Sequence, residues 1–272
     1  MTTQKDKLLS QIQTYAEKDV VLAFSGGVDS ALLLRLLSLA CQKTDRQVYA
    51  VTFHTALHPQ ADLSVARQLA QSMQTPHHVL EINELENPRI LENPPDRCYH
   101  CKKMLFEKLW KFARMRQIDT VLEGSNKDDL NVYRPGLRAI QELGVKSPLA
   151  QCGVTKAQVR QMAAEYGLSV ASRPSVPCLA TRLPYGSPID TELLLRIDAG
   201  EQFLRNLHFK NVRIRVHGDV ARLETDPEDF PRLLAHREKI LRQLRDLKLP
   251  YLTLDLEGFR SGSMDVGLTD GE

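Results

Sequence analysis

Long hydrophobic runs are absent from this sequence. No apolar stretch among its 272 residues approaches the roughly 20 that a helix needs to span a bilayer. The N-terminal segment MTTQKDKLLSQIQTYAEKD carries charges throughout and lacks the apolar core of a signal peptide. These two absences predict a cytoplasmic protein that has no membrane partner.

Cysteine is also scarce, and its five positions do not suit a disulfide framework. An odd number of cysteines in a cytoplasmic protein argues against structural cystines. Cys41 lies in an apolar helical run and is expected to be a packed thiol, whereas Cys152 lies in a predicted loop and has no obvious role. Cys98 and Cys101 form a C-x-x-C pair, which in this compartment indicates metal or redox chemistry.

Charge of one sign is not in excess. The formal net charge is +2, with 26% charged and 42% hydrophobic residues, which is an ordinary composition for a globular protein. Dedicated nucleic-acid-binding proteins usually show a clear basic excess, so no nucleic-acid partner is expected. The length fits one large domain or two small ones.

Strands and helices alternate over residues 20–167. Continuous apolar runs predict buried parallel strands, and spaced apolar positions predict the helices between them. The predicted strands span residues 20–24, 48–53, 77–82, 120–125 and, as a short fifth strand, 147–150. The predicted helices span residues 2–18, 30–42, 60–73, 98–117 and 155–167. This alternation predicts an α/β fold with a doubly wound parallel sheet.

A proline-rich segment, residues 171–188, breaks this pattern. We place a domain boundary within it, which gives domains of residues 1–172 and 173–272. Beyond the boundary the pattern predicts a small α+β domain. Its expected elements are a helix at 190–206, strands at 212–217 and 221–225, a long charged helix at 228–247 and a strand at 251–256. A unit this small is expected to pack on the first domain or on another subunit.

The stretch SGGVDS follows the first predicted strand and leads into the next helix. Gly26 and Gly27 would let the backbone approach a ligand, and the N-terminus of the helix favours a phosphate. Ser25 and Ser30 could add hydroxyl donors. Asp29 would repel a bare phosphate and is better explained as a Mg²⁺ ligand. The structural alternative is a plain strand–helix turn in which Ser25 is the N-cap.

Parallel sheets bind ligands at the carboxyl ends of their strands, and two more segments fall there. TFHT follows the second strand, and GSNKDD, which begins with Gly124, follows the fourth. Asp128 or Asp129 could orient ATP or Mg²⁺, and a helix N-cap is the alternative role. The chain has no G-x-x-x-x-G-K-[ST] and no G-x-G-x-x-G, so a Walker loop is excluded and dinucleotide binding is disfavoured.

Three cysteines from two segments could act together. Cys98 and Cys101 open a predicted helix, where the helix dipole favours thiolate, and Cys178 lies in the proline-rich segment. Together they could hold a metal or an iron–sulfur cluster. The C-x-x-C could instead be a redox pair, or half of a zinc site with His100 or Cys178. Cys178 alone could carry a persulfide or give up its own sulfur.

Arginines alternate with apolar residues in the predicted strand VRIRVH. The strand period of two places Arg213 and Arg215, together with His217, on one face. Paired arginines suit a phosphate monoester, whereas the alternative is a solvated sheet face. Arg182 is a further candidate for substrate or phosphate contact. The basic residues of the helix at 228–247 are expected to be solvated or to face another subunit.

The motif SGGVDS resembles the PP-loop of the ATP pyrophosphatases, which cleave ATP between its α- and β-phosphates. From residue 20 to about residue 264, the chain resembles the LarE family of sulfur transferases. The motifs that carry this resemblance are SGGVDS, PDRCYHCKK, EGSNKDDLNVYRPGLRA, PSVPCLATRLPYG, VRIRVHGD and TLDLEGFRSGSM.

This resemblance implies an ATP-dependent sulfurtransferase that forms AMP and PPi. Its expected substrate is pyridinium-3,5-biscarboxylic acid mononucleotide, a precursor of the nickel-pincer nucleotide of lactate racemase. One carboxylate would be adenylylated and would then exchange oxygen for sulfur. The residues implied for ATP and Mg²⁺ are Ser25, Gly26, Gly27, Val28, Asp29, Ser30, Gly124 and Asp128, with Asp29, Ser30 and Cys178 catalytic. Those implied for the substrate are Arg182, Glu201, Arg213 and Arg215, although the sequence alone fits Glu201 equally well as a surface residue.

The cysteine set matches one of two branches of the family. In that branch three cysteines, here Cys98, Cys101 and Cys178, hold a [4Fe-4S] cluster that relays sulfur from sulfide or another donor. In the other branch a single cysteine, here Cys178, gives up its own sulfur. The resemblance also implies a homo-oligomer, with a hexamer as the expected form. A tRNA-thiolating PP-loop enzyme is the alternative function, and the near-zero net charge counts against it.

Overall fold

The computed structural model describes residues 3–131, 134–174, 176–260 and 262–264. The chain forms two compact units. The first comprises Met1–Thr55, Gln60–Ile90 and Asp96–Ser175. The second comprises Ala56–Pro59, Leu91–Pro95 and Val176–Glu272. Two short loops from the first half of the chain therefore belong to the second unit.

A parallel four-stranded sheet forms the centre of the first unit, with strand order β3-β2-β1-β4. Its strands are β1 (Val20–Ala23), β2 (Val48–His54), β3 (His77–Glu81) and β4 (Val121–Leu122). All three pairings in the sheet are parallel, with Val20 opposite Val48 at the start of the central pair. The sheet confirms the α/β class that the alternation of strands and helices predicts.

Helices cover both faces of this sheet. They are α1 (Gln4–Tyr15), α2 (Val28–Thr44), α3 (Gln60–Ser72), α4 (Pro88–Leu91), α5 (Arg97–Arg114), α6 (Gly136–Glu142), α7 (Pro148–Gln151) and α8 (Lys156–Glu165), with 3₁₀ turns at Glu84–Glu86 and Lys127–Asn131. Neighbouring residues of β1 point to opposite faces. Leu22 belongs to the apolar cluster of α1, α2 and α8, and Val21 to the cluster that includes Phe106 of α5. No helix in the described ranges has the length and apolar character to cross a membrane.

The prediction of a short strand at residues 147–150 is wrong. Pro148 begins the short helix α7, and Lys146 makes only an isolated bridge to Leu122. Proline has no backbone N–H for a sheet ladder, but its fixed φ suits the first position of a helix. The sheet therefore ends at β4.

The second unit contains a three-stranded sheet with order β5-β6-β7. Its elements are α9 (Thr191–Asn206), β5 (Val212–His217), β6 (Val220–Thr225), α10 (Phe230–Ala235), α11 (Arg237–Asp246) and β7 (Tyr251–Leu254), with 3₁₀ turns at Leu179–Arg182 and Pro227–Asp229. Strand β6 pairs antiparallel with β5 and parallel with β7. Helix α9 packs closely on β5 at Gly200. The close contact is possible because glycine has no Cβ, and a Cβ there would lie 2.7 Å from Cδ1 of Ile214.

The prediction of one continuous helix at 228–247 is also wrong. The segment begins as a 3₁₀ turn, continues as α10 and restarts as α11 after His236. Nδ1 of His236 lies 3.0 Å from the carbonyl oxygen of Arg232. The backbone N–H of His236 is shared between the carbonyls of Arg232 and Leu233, which is a common pattern at a helix end, and the N–H of Ile240 bonds to the His236 carbonyl at the start of the next helix.

Candidate active site

The turn Phe24–Ser30 joins β1 to α2 and exposes the first backbone amides of that helix. Gly26 has a φ of +72°, in the left-handed region that favours glycine. A Cβ at Gly26 would lie 3.1 Å from the backbone nitrogen of Ala66 in α3. Gly27 is the N-cap residue of α2, and no side chain caps the helix. The turn therefore presents backbone N–H groups at the positive end of the dipole, as an anion site requires.

The two serines of the turn form a closed set of hydrogen bonds. Ser30 Oγ donates to the Gly27 carbonyl at 3.1 Å, and the Gly27 N–H donates to Ser25 Oγ at 3.3 Å. Since Ser30 has used its proton, Ser25 donates to Ser30 Oγ across 3.2 Å. Ser25 is thus held by the turn rather than serving as the N-cap, and the structural alternative stated above is wrong on this point.

Gly124 brings the loop after β4 against the start of α2. A Cβ at this position would lie 3.1 Å from the backbone nitrogen of Ser30 and 3.3 Å from Cβ of Asp29. Any larger residue would force the two segments apart. The segment after the fourth strand and the turn after the first therefore lie at one site, as their places at the carboxyl ends of adjacent strands predict.

Buried Glu123 fixes the path of this second loop. Its Oε1 accepts from the backbone N–H of Ser125 at 3.0 Å, and its Oε2 accepts from Ser125 Oγ at 2.9 Å. Ser147 Oγ also donates to Oε1. The sequence analysis missed this residue, because a glutamate at the end of an apolar strand resembles any solvated strand end.

Asp29, in the first turn of α2, has both carboxylate oxygens in use. Asn126 Nδ2 donates to Oδ1 at 3.1 Å, and Lys156 Nζ forms an ion pair with Oδ2. The side chains of Asp29 and Lys156 are 19% and 31% exposed. Sequence reasoning missed Lys156, although one signal exists. It is the first residue of α8, and a cation at a helix N-terminus opposes the dipole.

Asp128 contacts the start of α8. Its Oδ2 accepts from the backbone N–H of Lys156 at 2.8 Å, and its own N–H donates to Oδ1 of Asn126 at 2.9 Å. Asp129 accepts from the N–H of Asn126 at 3.0 Å and pairs with Arg134. These contacts agree with the helix-start role that was the alternative to nucleotide binding. A role for Asp128 in orienting ATP stays a prediction.

Two side chains of the neighbouring strands, Thr52 and His77, hold the first residue of the Phe24–Ser30 turn. Thr52 Oγ1 donates to the Phe24 carbonyl at 2.6 Å and lies 2.7 Å from His77 Nε2. Because the hydroxyl proton is used on the carbonyl, His77 must carry a proton on Nε2. Burial, with a smaller contribution from the positive charge of Arg67, lowers the pKa of His77. The neutral ring therefore holds the threonine in place.

The C-x-x-C pair lies near the start of α5, at its second and fifth residues, and both thiols are partly exposed. Nη2 of Arg97, a residue that is only 2% exposed, lies 3.5 Å from Cys98 Sγ. Cys178 belongs to the second unit, where it is partly exposed and precedes the turn Leu179–Arg182. Across the described ranges, no set of three His, Cys, Asp or Glu side chains is placed to hold a metal ion. The iron–sulfur cluster stays a prediction.

The other two cysteines belong to the packing of the first unit. Cys41 is buried in α2, and burial raises the pKa of its thiol to about 11. Cys152 follows α7, and its Sγ donates to Oε1 of Gln11 at 2.9 Å. Burial also raises the pKa of Cys152. Both thiols are therefore poor nucleophiles at neutral pH.

Arg182 and Glu201 form a buried ion pair in the second unit, and both side chains are 0% exposed. Arg182 donates from Nε to Oε1 at 2.9 Å and from Nη2 to Oε2 at 2.8 Å. The Ile214 N–H adds a bond to Oε1 at 3.1 Å. Burial pushes the pKa of Glu201 up, but the charges and hydrogen bonds of Arg182 and its neighbours outweigh burial and hold that pKa below its ordinary value. The surface-residue interpretation of Glu201 is wrong.

Arg215 is buried against Glu224, a residue that the sequence analysis did not identify. Arg215 donates from Nη2 to Glu224 Oε2 at 3.1 Å and from Nη1 to the carbonyl of Thr181 at 2.7 Å. Glu224 is 0% exposed and also accepts from Ser263 Oγ at 2.6 Å. Glu224 lies on β6 directly opposite Arg213. The register of β5 and β6 brings Glu224 close to the arginines of β5, and neither strand's sequence predicts that register by itself.

Arg213 is 5% exposed, so the solvated-face interpretation of these arginines is wrong. Its Nη1 donates to the Val212 carbonyl at 2.7 Å, and its guanidinium lies 5.1 Å from the centre of the Phe259 ring. Burial, together with the positive charge of Arg182, lowers the pKa of Arg213 to about 10. His217, at the end of the strand, is exposed.

Parts of three motifs lie outside the described residues. They are Ser175 in PSVPCLATRLPYG, Val132 and Tyr133 in EGSNKDDLNVYRPGLRA, and Ser261 in TLDLEGFRSGSM.

Similarities to known proteins extend over the whole chain. The family model of a PP-loop domain matches residues 1–131. An uncharacterised protein of Synechocystis is 35% identical over 97% of this chain and 99% of its own. The pyridinium-3,5-bisthiocarboxylic acid mononucleotide synthase of Lactiplantibacillus plantarum is 34% identical over 100% of this chain and 97% of its own. A tRNA-specific 2-thiouridylase of Dinoroseobacter shibae is 28% identical over 68% of this chain and 57% of its own.

Proposed function

Because this chain belongs to the LarE family of sulfur transferases, we propose that it makes a thiocarboxylate from pyridinium-3,5-biscarboxylic acid mononucleotide at the expense of ATP. The observation that carries this proposal is the Phe24–Ser30 turn. The N-terminus of α2 has no side-chain cap, Gly26 adopts the left-handed conformation, and the carboxylate of Asp29 lies in the first turn of the helix.

In the first step, a carboxylate oxygen of the substrate attacks the α-phosphorus of ATP. The bond from that phosphorus to the α,β-bridging oxygen breaks, and the electron pair leaves with PPi. Backbone N–H groups of the turn would bind the phosphate oxygens, and the hydroxyl of Ser25 would turn away from Ser30 to donate to them as well. Mg²⁺, which Asp29 would hold together with phosphate oxygens, supplies neutralising charge when it is bound. The product of this step is an acyl adenylate.

In the second step, a sulfur nucleophile attacks the acyl carbon, AMP leaves and the thiocarboxylate remains. Cys98, Cys101 and Cys178 would hold a [4Fe-4S] cluster, which when bound supplies the sulfide for this step. Cysteine thiolates are the usual ligands of such clusters, and all three thiols are partly exposed. Cys98 and Cys101 also lie three residues apart near the start of α5, at neighbouring positions on one face of the helix. Sulfide or another sulfur donor would restore what each turnover removes.

The buried charges of the second unit support binding of an anionic substrate there. Three buried arginines, Arg182, Arg213 and Arg215, face two buried glutamates, Glu201 and Glu224. Among these buried side chains the arginines exceed the glutamates by one, and the partly exposed Arg205 and Arg222 also pair with the two glutamates. Forked guanidinium donors suit the phosphate or carboxylate groups of the nucleotide. Glu201 and Glu224 would hold the arginines in position.

The reaction class is tested by measuring AMP and PPi in the presence of Mg²⁺ and the biscarboxylate nucleotide. We expect equal amounts of AMP and PPi, released only when that nucleotide is present. ADP formation, or AMP release that does not depend on the nucleotide, would overturn the proposal.

Iron and sulfide assays on protein purified without oxygen test the cluster. Absence of both with full activity retained would remove the cluster and leave Cys178 as the direct sulfur donor.

A tRNA-thiolating enzyme is the second candidate, favoured by the similarity to tRNA-specific 2-thiouridylases. The match leaves a large part of those relatives uncovered, and the net charge of +2 gives no basic excess for tRNA. We expect no retention of labelled tRNA at physiological salt. Retention there, with sulfur incorporated into the tRNA, would replace the first proposal.

The proposal also includes the cellular location and the oligomeric state of the enzyme. We place it in the cytoplasm, without a nucleic-acid or membrane partner, as a homo-oligomer whose expected form is a hexamer. Sedimentation at micromolar and nanomolar concentrations tests the assembly, and a monomer at both would contradict it.

A further inference from the structure

The Phe24–Ser30 turn contains no basic residue. A Walker loop carries its own lysine for the outer phosphates, and this turn offers only amides, hydroxyls and a carboxylate. Bound ATP brings several negative charges to this place. The site therefore needs a cation besides Mg²⁺, and a distant segment supplies a candidate.

Lys156 is held beside the turn by a fixed helix start. Thr155 caps α8 with a reciprocal capping box, and Asp128 binds the backbone N–H of Lys156 at 2.8 Å. From this position, Nζ reaches Oδ2 of Asp29 in the first turn of α2. The backbone of the lysine is thus fixed, whereas its four-carbon side chain keeps its torsional freedom.

A structural role alone accounts poorly for this lysine. Its position at the N-terminus of α8 is electrostatically unfavourable, and a partly exposed ion pair contributes little to stability. The carboxylate that it pairs with is the one expected to bind Mg²⁺. When Asp29 binds Mg²⁺, its carboxylate no longer pairs with Lys156. The ammonium group of Lys156 is then available beside the bound phosphates.

We propose that Lys156 is the phosphate-binding cation of this site. In the empty site it neutralises Asp29, and when ATP binds it moves to the β- and γ-phosphate oxygens. It then compensates the charge that develops on PPi as the bond to the α-phosphorus breaks. This inference rests on the proposed function only in requiring that ATP binds at the Phe24–Ser30 turn.

The test is calorimetric binding of ATP, PPi and AMP in EDTA, without any metal. We expect Lys156→Gln to weaken ATP and PPi by about 10- to 100-fold, as the loss of a charge-assisted contact does. AMP, which lacks the outer phosphates, should weaken by less than about threefold, since its one phosphate lies at the turn amides. Lys156→Arg should restore most of the PPi affinity.

Lys18→Gln is the matched control. Lys18 also pairs with an aspartate, Asp119, at 3.1 Å, but these residues precede β1 and β4 at the amino ends of the strands. Its replacement removes one positive charge, as Lys156→Gln does, but at the amino ends of the strands, away from the Phe24–Ser30 turn. We expect unchanged affinity for all three ligands, and melting curves of every variant verify that it is folded.

A double variant separates phosphate binding from neutralisation of Asp29. Asp29→Asn should tighten PPi binding in EDTA, because it removes a repulsive carboxylate and releases Lys156. Most of that gain should disappear in Asp29→Asn/Lys156→Gln. The proposal is overturned if Lys156→Gln leaves PPi affinity unchanged, if it weakens AMP and PPi equally, or if the wild-type protein binds neither ATP nor PPi. Normal binding without AMP formation from the biscarboxylate nucleotide would instead overturn only the proposed function.

Discussion

The candidate site of the first unit and that of the second are built in opposite ways. The first is centred on neighbouring residues, Phe24–Ser30, whose backbone amides and small side chains form most of it. The second consists of long charged side chains from separate segments, including Arg182, Glu201, Arg215 and Glu224, all buried. A site made from one short segment can be recognised in the sequence, whereas a site made from side-chain pairs depends on the tertiary fold.

The contrast has an energetic side. The Asp29–Lys156 pair is partly exposed, and such pairs contribute only about 0–1 kcal/mol to stability. The Arg182–Glu201 pair is 0% exposed, and removal of one partner from a buried pair costs about 3–5 kcal/mol. Substitutions in the first site should therefore affect binding more than folding, and substitutions in the second should affect folding first.

The largest expected effect is that of Glu201→Gln. The substitution leaves the Arg182 guanidinium buried without its counter-charge, so the free energy of unfolding of the second unit should fall by about 3 kcal/mol or more. Urea titration followed by circular dichroism measures the loss. Glu192→Gln, an exposed position on the same helix, is the control and should change stability by less than about 0.5 kcal/mol. Equal effects of the two variants would contradict the role of burial.

A glycine pair gives the next effect, in the first unit. Gly26 and Gly144 have φ values of +72° and +67°, but a Cβ at Gly144 would meet nothing within 4 Å. Gly26→Ala and Gly144→Ala should each lose about 1–2 kcal/mol of stability from backbone strain. Only Gly26→Ala should also weaken ATP binding, by about tenfold or more, because α3 must move away from the turn. Equal ATP affinity of the two variants would show that the close approach to Ala66 does not matter.

The smallest effect is the pH dependence that Glu201 gives to the stability of the second unit. The pKa of Glu201 lies below its ordinary value of 4.5, so the folded protein binds fewer protons at this carboxyl than the unfolded chain. Its contribution to stability is fully present above pH 4.5 and is lost as the pH falls through the lower folded pKa. Thermal unfolding from pH 6 down to pH 3 measures this loss. Glu201→Gln should have a flatter profile, and identical slopes would contradict the assignment.

Sequence patterns predicted what depends on neighbouring residues. The apolar run of β1 and the serines and glycines after it indicated both the parallel sheet and the turn. Pairings between distant segments were not predictable. Lys156 reaches Asp29 only because α8 starts at the carboxyl edge of the sheet, and Glu224 meets Arg215 only through the register of β5 and β6. The two wrong elements lie at the proline that begins α7 and at His236, where α10 ends and α11 begins.

The central claim is that ATP activates a carboxylate so that sulfur replaces oxygen. Mass spectrometry of the small-molecule product, formed from ATP, Mg²⁺, a sulfur source and the pyridinium biscarboxylate nucleotide, tests it most directly. The account predicts a mass gain equal to the exchange of one oxygen atom for sulfur, with one AMP formed for each exchange. AMP formation with the nucleotide recovered at its original mass, or converted to a product without sulfur, would contradict it.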